Sequence, residues 1–97
     1  METYVIVRRN GWQSVEEFED AAGRSSAVGE EMPDDVAWIR SYVLEECDGT
    51  VGTVCVYRAS SPEAIRTHAA AAELPVDEIV RVAATEVERP DPISGTT

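Results

Sequence analysis

Lysine is absent from this 97-residue chain, whose positive charge rests on eight arginines against nineteen acidic residues. A formal net charge of −11 repels phosphate backbones and anionic lipid headgroups, which argues against nucleic acid and membrane surfaces as partners. No apolar run approaches the roughly 20 residues needed to cross a bilayer. The stretch Met1 to Arg9 has neither a basic segment before an apolar run nor a small-residue cleavage site, which predicts no signal peptide and a cytoplasmic protein. Cysteine is scarce as well: two thiols are too few for a disulfide framework and are expected to stay reduced. Histidine occurs once, with no nucleophile motif beside it, so a catalytic triad cannot be assembled; this favours a binding protein and leaves other enzyme classes open.

What is present has clear punctuation. Tyr4 to Arg9 is a β-branched run ended by Asn10-Gly11, a first strand. Ser14-Val15-Glu16-Glu17 has the form of a capping box and opens a helix that Pro33 closes; its inner stripe is expected at Val15, Phe18, Ala22, Ser25 or Ser26, and Val28 or Gly29. Trp12 is expected to pack over that helix. A second strand spans about Ala37 to Glu45, Asp48-Gly49 turns the chain, and Thr53 to Arg58 forms a third. Ser61-Pro62 is a cap followed by proline at the first helical position, starting a helix that runs to about Glu73. Ile79 to Val87 reads as a fourth strand. The order β-α-β-β-α-β predicts an α+β, ferredoxin-like fold: a four-stranded antiparallel sheet, order 4-1-3-2, with both helices on one face. Residues 1–87 form one domain at this length, and residues 88–97 are a proline-bearing tail expected to be disordered.

Alternation along the strands divides the side chains into two sets. Val5, Val7, Val54, Val56, Val80 and Val82 make a coherent apolar set, expected under the helices. Tyr4, Ile6, Trp38, Tyr42, Leu44, Cys55, Tyr57 and Ile79, interrupted by Arg8, Arg40 and Arg81, are then expected on the open face. Such a face is too apolar to be left in water, which predicts a homodimer that pairs two open faces about a two-fold axis.

Four segments carry a resemblance: Ile39-Arg40-Ser41-Tyr42-Val43, Cys55-Val56-Tyr57-Arg58-Ala59, Glu63-Ala64-Ile65-Arg66-Thr67-His68-Ala69, and Leu74-Pro75-Val76-Asp77-Glu78-Ile79. Over roughly residues 3–87 the chain resembles a family of small nickel-binding, nickel-responsive bacterial proteins, first catalogued as a domain of unknown function and known chiefly from actinobacteria. The resemblance implies a ferredoxin-like fold, dimerisation and nickel binding in nickel homeostasis or response. The hairpin Glu45 to Gly52, with its extra Cys47, departs from the family pattern, as do the acidity and the C-terminal tail.

Nickel accepts imidazole, thiolate and carboxylate donors, and the candidate metal ligands are His68 and Cys55. On the strand phase above they lie on opposite sides of the sheet, so a shared site requires the opposite phase or donors from a second subunit. A lone histidine on the inner edge of a helix serves equally as a packed core residue, and a strand cysteine as a small buried hydrophobe. The carboxylate pairs Asp34-Asp35 and Glu45-Glu46 read as solvated charges. An alternative function is a small-molecule binder or enzyme of the dimeric ferredoxin-like barrel type, in which His68, Tyr42 and Tyr57 would be the polar groups of an apolar pocket between sheet and helices.

Overall fold

The computed structural model describes residues 1–91. Six elements follow in order: β1 (Glu2–Trp12), α1 (Val15–Glu31), β2 (Val36–Glu45), β3 (Val51–Ala59), α2 (Pro62–Ala71) and β4 (Glu78–Arg81). The strands form one antiparallel sheet in the order β2-β3-β1-β4, which is the expected 4-1-3-2 read from the other edge and is consistent with a ferredoxin-like arrangement. Both helices reach the same residue of the sheet, Tyr57, one through Ser25 and the other through His68, so they share a face.

The local signals act as their chemistry predicts. Ser14 caps α1 by accepting the Glu17 amide at 3.2 Å, and Ser61 caps α2 by accepting the Ala64 amide at 3.1 Å, each satisfying a donor that the first helical turn leaves free. Gly49 turns the β2–β3 hairpin at φ +87°, a conformation that a side chain disfavours. Gly52 is required for another reason: a Cβ there would lie 2.5 Å from the Arg8 carbonyl oxygen, where β3 approaches the β1 irregularity between Arg8 and Trp12. Trp12 meets Phe18 edge to face at 5.1 Å, closing one end of α1 over the sheet. The inner stripe of α1 is rotated from the expected one, with Ala21 and Ser25 buried and Val15 exposed.

The fourth strand is shorter than expected. Antiparallel pairing sets Arg81 opposite Tyr4, and the Val82 amide donates to the Thr3 carbonyl, so β1 is almost exhausted as a partner there. The chain then crosses the outer face, where Asp91 accepts hydrogen bonds from the Tyr42 hydroxyl and Arg40. Of the tail expected over 88–97, residues 92–97 lie outside the described residues.

The larger correction concerns the phase of the sheet. The face under the helices carries Tyr4, Ile6, Arg8, Thr53, Cys55 and Tyr57, all buried, and the outer face carries Val5, Val7, Val54, Val56 and Val80. This is the reverse of the expected assignment. Both sets are apolar enough to form a core, and the larger aromatic set fills the space under two helices that present small residues, Ala21, Ser25 and Ala69. A bulge at Ile39 also separates Trp38 from Tyr42, placing Trp38 opposite Tyr57 on the inner face and Tyr42 opposite Val54 on the outer one.

Candidate functional site

Three polar side chains meet under the helices at one end of the inner face. The Tyr57 hydroxyl and the Ser25 hydroxyl share a hydrogen bond of 2.9 Å, and His68 Nε2 lies 2.9 Å from the Ser25 carbonyl oxygen. Because a carbonyl can only accept, Nε2 carries the imidazole proton and donates it. The imidazole stands edge to face against the Tyr57 ring at 5.6 Å, and Trp38 stacks on Tyr57 at 6.2 Å with its plane inclined by 10°. Burial pushes the Tyr57 phenol above its ordinary pKa, opposed by the Ser25 hydrogen bond and the Arg8 charge, so the ring stays neutral.

Beside this row opens a cleft of about 450 Å³ between α1, β2 and α2. Its walls include Ser25, Glu30, Pro33, Trp38, Tyr57 and His68. Tyr42 is not among them, because the bulge in β2 turns it outward. Ser25 marks the site in retrospect: it is a polar residue on the inner stripe of an amphipathic helix, and both its hydroxyl and its carbonyl are in use. Trp38 shares the face of Tyr57 as its place in the strand alternation has it, whereas the bulge that parts Tyr42 from that face left no signal in the sequence.

Cys55 sits elsewhere on the same inner face. Its Sγ lies 2.9 Å from the Ser41 hydroxyl and 3.2 Å from Arg8 Nη1. A divalent cation at that sulfur would stand next to a guanidinium in a dry interior, so Cys55 does not fit the role of nickel ligand in this arrangement. The sheet phase does place Cys55 and His68 on one side, yet each is engaged with different partners. Among the described residues, no group of three or more His, Cys, Asp or Glu side chains is placed to hold a metal. The cleft itself offers two donors of the kind nickel takes, the imidazole of His68 and the carboxylate of Glu30, with room for water. Cys47, the other thiol, is exposed on the hairpin.

An antiparallel sheet covered on one side by two helices, with the chain's single histidine at the wall of an open cleft, defines a small α+β protein with a candidate site at that cleft. The chain belongs to the SCO4226-like family, described as nickel responsive protein SCO4226-like, whose family model matches residues 4–82. The resemblance read from the sequence is borne out at that level. No curated protein matches the chain. Among solved structures, SCO4226 from Streptomyces coelicolor A3(2) is similar with a TM-score of 0.70 at 18% identity, covering 87% of this chain and 99% of that one, which establishes the shared fold. Rv0793 from Mycobacterium tuberculosis aligns over 92% of this chain and all of its own, at 15% identity and a TM-score of 0.39, too loosely to carry an argument.

Proposed function

We propose that this protein binds divalent nickel in the cytoplasm as part of a nickel response, with His68 as its nitrogen donor at the cleft. The observation that carries this reading is the placement of the chain's one imidazole at the cleft wall, in a member of a nickel responsive family. Glu30 is the carboxylate on the same cleft, and water completes the coordination. A metal at His68 takes either Nδ1 or an Nε2 freed from the Ser25 carbonyl, and protonation of the ring competes with it, so affinity falls on acidification. The protein acts as a homodimer through the outer face, whose valines leave apolar area that a second copy would remove from water.

Calorimetric titration of tag-free protein with nickel tests the site. His68→Ala is expected to abolish the isotherm and Glu30→Gln to weaken it about tenfold or more, as losing one ligand does. Cys55→Ser and Cys47→Ser are expected to leave it unchanged. An isotherm insensitive to His68→Ala overturns the assignment.

A second reading is favoured by the aromatic wall: Trp38, Tyr57, Pro33 and Val36 give the cleft an apolar side suited to a small organic molecule. A thermal-shift screen in the presence and absence of nickel separates the two, because an organic occupant of this cleft would compete with the metal.

A further inference from the structure

The two apolar clusters of the core are parted by buried polar side chains. One cluster contains Ile6, Cys55 and Tyr57, and the other contains Trp12, Ala21 and Val51. Along β1 the inner-face residue between Ile6 and Trp12 is Arg8, and along β3 the residue between Val51 and Cys55 is Thr53. Arg8 and Thr53 are cross-strand partners, and they are 2% and 0% exposed. The guanidinium donates through Nε to the Pro75 carbonyl at 2.7 Å and through Nη1 to Cys55 Sγ, while Nη2 has no partner among the described residues. Thr53 Oγ1 has none either.

Two orphaned polar atoms facing the same interior row are rare in a folded core, and one of them belongs to a cation. The chain has nineteen acidic residues, yet among the described residues none forms a salt bridge with Arg8; the ion pairs found use Arg9, Arg40 and Arg81. A water molecule could accept from Nη2 and from the threonine hydroxyl, but it would leave the buried charge uncompensated. An acceptor that also carries one negative charge meets both requirements. Both orphans can donate, which suits a spherical acceptor.

We propose that Arg8 and Thr53 form a binding site for a small monovalent anion of the halide class, set between the two halves of the core. The anion neutralises Arg8 and supplies the acceptor that Nη2 and the Thr53 hydroxyl lack. The site is separate from the His68 cleft, whose walls include neither residue.

The test is thermal unfolding of the purified full chain at constant ionic strength, with potassium gluconate replaced stepwise by potassium bromide. Wild type is expected to gain about 5 °C in Tm once bromide is roughly tenfold above its Kd. Arg8→Met should abolish the gain, and Thr53→Val, which preserves shape, should reduce it. No gain in wild type, an equal gain in Arg8→Met, or a full gain in Thr53→Val overturns the proposal. Should Arg8→Met fail to fold, anomalous diffraction from bromide-soaked wild-type crystals decides. A bromide peak between Arg8 Nη2 and Thr53 Oγ1 supports the site, and an ordered water there or no density overturns it.

Discussion

The two faces of this one sheet differ in kind. The inner face holds the groups with chemistry, Arg8, Thr53, Cys55 and Tyr57, together with His68 and Ser25 from the helices above, and all of them are buried. The outer face is a field of valines crossed by an extended segment of chain, with Arg40 and Tyr42 at its side. The inner face therefore spends its apolar area on a core that must also satisfy polar groups, whereas the outer face has apolar area and little to satisfy. The first arrangement suits a site and the second suits an interface.

Truncating a side chain on each face breaks the comparison most directly. Ile6 is fully buried at the centre of the inner cluster, and Ile6→Ala should cost about 3 kcal/mol or more by lost transfer energy and the cavity left behind. Val7, the next residue, points outward and is only half-buried, and Val7→Ala should cost under about 1 kcal/mol. Urea unfolding of both variants checks the pair, and equal losses would mean that the outer face is as tightly packed as the inner one.

Much of the fold was legible and the phase of the sheet was not, for a physical reason. Ser14, Ser61-Pro62 and Asp48-Gly49 act through their immediate neighbours, so their effect is written locally. Strand alternation shows which residues share a face, but it chooses the inner one only if the other is polar. Here Val5 and Val7 alternate with Tyr4 and Ile6 along β1, so either phase closes a core. Arg8 weighed toward the wrong phase, since an arginine in a strand normally faces water. The same error put Cys55 outside and Tyr57 at a subunit interface. His68 was correctly expected on the inner edge of its helix, because a helix with one apolar stripe admits a single orientation.

Charge on the outer face tests the interface. Val80 is 46% exposed in the single chain, so Val80→Glu should leave the fold intact while placing an unpaired carboxylate where two copies would meet. Light scattering is expected to show dimers for wild type at high micromolar concentration and monomers for Val80→Glu. A monomeric wild type removes the interface from the outer face. A glutamate at Tyr57 would not serve, because that side chain is inside the core and its replacement would unfold the chain.

The end of the sheet away from the cleft is held by charges, and pH sharpens the contrast with the apolar interior. Glu46 accepts from the Arg9 guanidinium and from the Asn10 amide at 2.7 Å, and Asp48 accepts from the Thr50 hydroxyl at 2.6 Å. These bonds, that from Arg9 first for Glu46 and that from Thr50 first for Asp48, hold both carboxyls below their ordinary range. The unfolded chain therefore takes up protons at higher pH than the folded one. The resulting stability is fully present above the ordinary carboxylate values of about 4 and is lost as pH falls through the lower folded values. Acid unfolding followed by circular dichroism should show this loss, and Glu46→Gln should make the descent shallower while leaving its slope near neutral pH unchanged.

The smallest effect is expected from the C-terminal segment. Asp91 accepts the Tyr42 hydroxyl at 2.7 Å and pairs with Arg40, and these contacts, the tyrosine bond first, hold its carboxyl below the ordinary range. Both charged side chains are about half exposed, so solvent and salt screen the pair. Val87, just before it, is 72% exposed and contributes little packing. A chain ending at Val87 should accordingly melt within about 2 °C of the full length, the size of a few tenths of a kcal/mol in a domain this small. A loss of 5 °C or more would show that the crossing segment packs on the valines as a cover, and the outer face would then have to shed that cover before a second copy could use it.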